Sequence, residues 1–254
     1  MAKVCMILGD SGDGKSSSVI VPPNGELTIE YIEAFMKDRS VYKGMDPETT
    51  VIINHDGKDL PFPYSYLGWK EGVNLFTSTY SKPITAETLV GNPVKNEEGL
   101  LDRINKGTKI KSVLLDTVNG AMNDKEMMES RGMSWDKWYD LAKDFYALTV
   151  KANSMRPDLI IYLMMHVSLQ TNVHGEEEKV PLTNGKKLEK IKLHSKVPVV
   201  LTTHVEGIGG NNNYYFETQK NKSVSKSPVG MFKDFQIPNS LVFVDKTIRN
   251  YYNI

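Results

Sequence analysis

The sequence predicts an α/β fold: a mainly parallel sheet with helices on both faces and a β-rich C-terminal extension. Three observations predict it. Short apolar runs of strand length alternate with stretches of helical period, in the order expected of β-α-β units. Several runs are apolar throughout, as strands covered on both faces must be. The first of them, residues 3–8, leads directly into G-D-S-G-D-G-K-S at residues 9–16. That octapeptide fits the phosphate-loop pattern G-x-x-x-x-G-K-[ST] at every fixed position, and the pattern requires a buried strand before it.

After the loop, residues 16–20 can begin a helix whose N-terminal dipole would favour an anion. Pro22-Pro23-Asn24-Gly25 must end it. Thr28 reads as the N-cap of a helix from Ile29 to about Lys37. Thr50 to Asn54 is a β-branched strand ending at His55-Asp56-Gly57-Lys58, and Val73 to Thr79 is a further candidate strand. Glu97 to Lys106 reads as a helix with Leu100, Leu101 and Ile104 on one face. Ser112 to Asp116 is an apolar strand ending in a carboxylate. The Met-rich stretch 122–133 reads as a packing helix. Ser134 caps a long helix to about Ser154, with Trp138, Leu141, Ala142, Phe145 and Leu148 at helical spacing. Leu159 to Val167 is a buried strand with His166 near its end. Ser168 to Pro181 reads as a mobile polar loop. Lys186 to Lys196, with five lysines, is either a solvated helix face or part of a nucleic-acid path. Pro198 to Val205 is a strand, 207–213 a loop, and Tyr214 to Gln219 and Leu241 to Val244 are late strands. No linker divides the chain, which reads as one domain: a core of about 1–206 and an extension of about 207–254.

The 254 residues suffice for one large α/β domain. The formal net charge is zero, so no global charge predicts nucleic-acid or membrane binding. The distribution is uneven: from Val180 onward there are eleven Lys/Arg and five Asp/Glu, a balance of +6. Cys5 is the only cysteine, which suits a reducing cytoplasm. The longest apolar run, Leu159 to Met165, is too short to span a membrane.

The site chemistry follows from residue types. Gly9, Asp10, Ser11, Gly12, Asp13, Gly14, Lys15, Ser16 and Ser17 form the candidate nucleotide loop. Its glycines let successive N–H groups face phosphate oxygens. Lys15 would reach the β- and γ-phosphates, and the Ser16 hydroxyl would bind Mg²⁺. Asp116, at a strand end about a hundred residues on, is the candidate Walker B acid that helps to hold Mg²⁺. Asp56 and His166 end other strands on the ligand edge of such a sheet.

Further stretches carry a resemblance. They are D-G-K-D-L-P-F at 56, V-L-L-D-T at 113, L-M-M-H-V at 163, G-K-K-L-E-K-I at 185, V-V-L-T-T-H-V-E-G at 199, Y-F-E-T-Q at 215 and K-S-P-x-G-M-F at 226. With the phosphate loop they span nearly the whole chain. In them the sequence resembles the phage-encoded, RecA-like ATPases, AAA-type nucleotide-binding proteins of which some are grouped with single-strand annealing recombinases. The resemblance implies a RecA-like core in which the strand bearing His166 lies between the strands of the phosphate loop and of Asp116. It implies ATP and Mg²⁺ as ligands, a bacterial host cytoplasm, homo-oligomers and single-stranded DNA as partner. His166 takes the place of the polar sensor. Asp56 stands where such ATPases usually carry a water-activating Glu. Lys226, with Lys220 and Lys222 as alternatives, is the candidate cation supplied to the next subunit's site. DNA-binding loops would lie around 120–133 and 168–196. The competing expectations are a nucleotide-gated interaction or assembly switch and a translocating motor. A small-molecule kinase fits less well, because the chain shows no Arg-rich lid.

Overall fold

The computed structural model describes residues 1–92, 95–122, 135–172, 174–183, 192–207 and 212–254, and of 135–142 and 144 the backbone alone. The strands are β1 (Lys3–Leu8), β2 (Thr50–Asn54), β3 (Leu75–Thr77), β4 (Gly91–Asn92), β5 (Glu97–Glu98), β6 (Ser112–Asp116), β7 (Ile160–Met165), β8 (Val167–Thr171), β9 (Glu177–Pro181), β10 (Val199–Glu206), β11 (Asn213–Glu217) and β12 (Gln236–Pro238). Among the described residues eight of them form one sheet in the order β12-β11-β10-β1-β7-β6-β2-β3. The run from β10 to β3 is parallel throughout, and β11 and β12 add antiparallel at the β10 edge.

Alternation along each strand sends side chains to opposite faces. Val4, Met6 and Leu8 of β1 join one core with Val113, Leu115, Ile161 and Leu163. That core is closed by Leu101 of the helix Leu100–Lys106 and by Phe145 and Leu148 of the long helix Trp135–Ser154. Cys5 and Ile7 join the other core with Ile52, Leu114, Tyr162 and Met164. Phe35 of the helix Ile29–Lys37, and Leu241, Val244 and Ile248 of the C-terminal helix Leu241–Tyr252, cover that face. The central strands therefore lie between two helical layers, which is why they read as continuous apolar runs.

Several expectations are corrected. The stretch from Leu241 to Val244 is not a strand but the first turn of the helix Leu241–Tyr252, whose N-cap Ser240 accepts from Phe243 N–H. Its apolar positions 241, 244 and 248 have helical spacing, and a four-residue window hides that period. Ser168 to Pro181 is not a structureless loop: β8 and β9 pair antiparallel from Val167↔Pro181 to Thr171↔Glu177. Residues 16–20 begin no α-helix. Only a 3₁₀ turn, Ser17–Val19, forms before the Pro22-Pro23 block, so the loop gains no long helix dipole. The helix expected from Glu97 starts at Leu100, because Glu97 and Glu98 pair with β4. The strand expected over Val73 to Thr79 is shortened to β3. Among the described residues the extension holds the antiparallel strands β11 and β12 and the helix Leu241–Tyr252. The long helix appears as expected over Trp135–Ser154. Its cap Ser134, the side chains of Trp138, Leu141 and Ala142, most of the stretch 122–133, and Lys186, Lys187 and Lys190 lie outside the described residues.

The C-terminal helix is fastened by polar groups as well as by its apolar face. Asp245 accepts from Ser112 Oγ at 2.6 Å and from Tyr162 OH at 3.1 Å, both on central strands. Arg249 Nε donates to Asp245 Oδ1 at 2.6 Å. Its other nitrogens donate to the carbonyl oxygens of Asp158 and Lys111 at 3.0 and 2.8 Å. Removing the arginine would leave a mostly buried carboxylate without its counter-charge. Arg249→Ala is expected to cost about 3 kcal/mol in urea unfolding. A loss below about 1 kcal/mol, the scale of an exposed pair, would show that the apolar face alone holds the helix.

Candidate nucleotide site

The parallel register brings four strand ends to one edge. Leu8 of β1 stands beside Met165 of β7, and Asp116 of β6 stands beside Asn54 of β2. The phosphate loop leaves β1 at this edge, His166 follows β7, and His55-Asp56 follows β2. Here α/β sheets place ligands. A cleft of about 280 Å³ opens among them, lined by the loop together with Lys58, Asp59, Pro61, Thr117 and His166.

Local chemistry shapes the loop. Gly12 and Gly14 take φ of +87° and +82°, which side chains resist. Gly9 has no room for a side chain, because an added Cβ would lie 1.8 Å from Thr203 Oγ1 on β10. Two acids brace the turn. Asp10 N–H donates to Asp13 Oδ2 at 2.7 Å, and Ser11 N–H donates to Asp10 Oδ1 at 2.8 Å. Asn239 Nδ2 donates to the Asp13 carbonyl at 3.4 Å. Among the described residues the N–H groups of Gly12, Gly14, Lys15, Ser16 and Ser17 have no hydrogen-bond acceptor within the chain. Free N–H groups on a Gly-rich turn are the donor set a phosphate chain takes. Ser11 N–H, already bonded to Asp10, is not part of that set.

Lys15 is buried, at 6% exposure, and its Nζ donates to the carbonyl oxygens of Gly9 and Asp10 at 2.8 and 2.7 Å. One of its three N–H donors stays available for a ligand. Burial lowers its pKa, and the carboxylates of Asp116, Asp13, Asp10 and Asp56 oppose that shift. Asp116, also buried, has its pKa raised by burial, opposed by a hydrogen bond from the Ser16 hydroxyl. Ser16 and Asp116 thus offer two hard oxygen ligands near one another. No group of three or more His, Cys, Asp or Glu placed to hold a metal ion stands among the described residues. This set suits a Mg²⁺ ion that takes its remaining ligands from phosphates and water.

Asp56 joins the site from the β2 side and pairs with Lys58 Nζ at 2.8 Å. His166 lines the cleft; burial and then the Lys15 ammonium lower its pKa, favouring the neutral ring. Lys226 is not brought here. Its backbone pairs with Val200 near the start of β10, and Lys220 ion-pairs with Glu178 on β9 at 2.7 Å. Sequence reasoning passed over Lys58, Asn119, Thr203, Tyr214 and Asn239. Asn119 was within reach, three residues past Asp116; it binds His166 N–H through Oδ1 at 2.7 Å and the Leu182 carbonyl through Nδ2. Thr117, noted only as a neighbour of Asp116, holds φ +56°, a costly conformation for a β-branched residue at a ligand edge. Thr203, Tyr214 and Asn239 reach the loop only through distant packing, which leaves no local signal.

His55 anchors the end of β2. It is fully buried, its Nδ1–H donates to the Ile84 carbonyl at 3.2 Å, and Nε2 has no partner. Burial lowers its pKa to about 4, opposed by that carbonyl and by Asp56. The unfolded chain binds this proton near pH 6.5 and the folded chain only near 4. Stability is therefore intact above about pH 6.5 and falls by about 3 kcal/mol as pH drops towards 4. Denaturant unfolding between pH 7 and 4 should show this slope in the wild type and a flatter one in His55→Asn. Equal slopes would place the proton uptake elsewhere.

No protein-family model matches the chain, and no curated protein does. Among solved structures the chain is similar to a KaiC-like protein from the hyperthermophilic archaeon Pyrococcus horikoshii. The identity is 10%, the match covers 85% of this chain and 77% of that one, and the TM-score is 0.39. The α/β class, with its mainly parallel sheet and antiparallel C-terminal strands, accordingly rests on strand order and register.

Proposed function

We propose that the chain is a Mg²⁺-dependent, RecA-like ATPase that binds single-stranded DNA and promotes annealing or recombination. One observation carries the ATPase half: the phosphate loop with buried Lys15 and Ser16 lines one cleft, and buried Asp116 stands near enough to act on the Lys15 charge. The position of β7 between β1 and β6 agrees with the RecA-like core that the sequence resemblance implies. The free loop N–H groups and Lys15 hold the phosphates. Ser16 and Asp116 would hold Mg²⁺, which would supply positive charge against the phosphates. Asp56 orients the attacking water, and the neutral ring of His166 offers a hydrogen bond at the γ-phosphate end. Catalysis by such a set is positioning and charge stabilisation.

The DNA half is supported by a second cleft, of about 350 Å³, beside the β8–β9 hairpin and lined in part by Lys192, His194 and Lys220. His166, at the nucleotide cleft, is one residue from the start of that hairpin, so nucleotide contacts and the hairpin share a backbone segment. Lys226 lies outside the nucleotide cleft, so its role in hydrolysis is in trans, within a homo-oligomer.

Asp116→Asn is expected to keep ATP binding and to lower kcat about a hundredfold, the scale of losing one preorganised charge-stabilising group. A labelled single-stranded oligonucleotide should bind more tightly with ATP and Mg²⁺ and weaken steeply with salt. Wild-type turnover retained in Asp116→Asn would remove the metal role. Absence of oligonucleotide binding at low salt would remove the DNA role and favour the switch.

A further inference from the structure

The nucleotide cleft has more negative charge near it than one lysine can balance. Four carboxylates, of Asp116, Asp13, Asp10 and Asp56, act on Lys15. A triphosphate entering such a place meets like charges, that of Asp56 among them. Lys58 is the other cation that lines the cleft among the described residues.

Its place is built by the turn that carries it. Gly57 takes φ +66°, and an added Cβ there would lie 2.6 Å from the Ser78 carbonyl oxygen. Asn54 Nδ2 holds the Lys58 carbonyl at 2.7 Å, and Ser78 N–H holds the Asn54 carbonyl at 2.8 Å. The backbone is thus clamped between β2 and β3 while the Lys58 side chain stays 66% exposed. Its ammonium rests on Asp56, which is 18% exposed and has less freedom. An ion pair this open to water contributes little by itself and exchanges readily. A bond from an ammonium to a phosphate oxygen is charge-assisted on both sides.

Resting on the ATP-binding reading, we infer that Lys58 is a γ-phosphate ligand supplied in cis. It moves from pairing with Asp56 alone to bridging Asp56 and the γ-phosphate. It then screens the Asp56 carboxylate from the phosphate while holding that carboxylate beside it, where water must attack. Lys58 therefore supplies charge from within the same chain, in addition to any cation that a neighbouring subunit brings.

The test is calorimetric binding of Mg²⁺ with ADP, and of Mg²⁺ with a non-hydrolysable ATP analogue, to the full chain as wild type, Lys58→Ala, Lys58→Gln and Lys58→Arg. Variants are accepted when they melt like the wild type. Lys58→Ala and Lys58→Gln should weaken the triphosphate about tenfold and leave ADP within about twofold, the loss of one charge-assisted bond. Lys58→Arg should keep most of the preference. Equal weakening of both nucleotides, or of neither, overturns the assignment while leaving the ATP site intact. Failure of the wild type to bind either nucleotide overturns the ATP reading and this one together.

Discussion

A buried ammonium among carboxylates governs the ligand edge of this sheet. Lys15 is drawn out of water by the loop that carries it, and burial alone would favour its neutral form. Asp116, at a neighbouring strand end, is likewise penalised by burial. Each charge is tolerable because the other stands near it, and both depend on the register that ends β1, β7 and β6 together. Neither the charges nor the register would serve alone. A shift of one residue in a parallel strand would turn Asp116 to the other face.

The rest of the sheet supports that edge from a distance. At its opposite end Asp245 ties together Ser112 of β6, Tyr162 of β7 and, through Arg249, the carbonyl oxygens of Lys111 and Asp158. The same two strands that carry Asp116 and lead to His166 are thus pinned where they begin. At the ligand edge, Asn119, in the helical residues that follow Asp116, binds His166 N–H and the Leu182 carbonyl just past the β8–β9 hairpin. A side chain of this kind sets the distance between the Asp116 strand and the base of the hairpin.

Much of this was legible in the residues. The octapeptide at 9–16 declares itself because glycines, Lys and Ser occupy fixed positions, and its strand had to be buried. Asp116 and Asp56 are readable as polar residues ending β-branched or apolar runs. What sequence missed has physical reasons. Helical period cannot be seen in four residues, so Leu241 to Val244 looked like a strand. The polar residues of 168–181 concealed a hairpin because β8 is largely exposed and lacks a buried face to mark it. The turn after the loop is cut short by Pro22-Pro23, so the stop signal in the sequence outweighs the helix-forming residues before it. Thr203 and Asn239 meet the loop from nearly two hundred residues or more away, where only the fold can bring them.

The central claim is that this edge binds a nucleoside triphosphate with Mg²⁺ through Lys15. The most direct measurement is the melting temperature of the full chain as ATP is titrated with and without Mg²⁺, in the wild type and in Lys15→Ala. A ligand that binds only the folded chain stabilises it with the logarithm of its concentration. The wild type should show such a rise, larger with Mg²⁺ present, and Lys15→Ala should lose it. A melting temperature that stays flat at millimolar ATP and Mg²⁺ in the wild type would contradict the account.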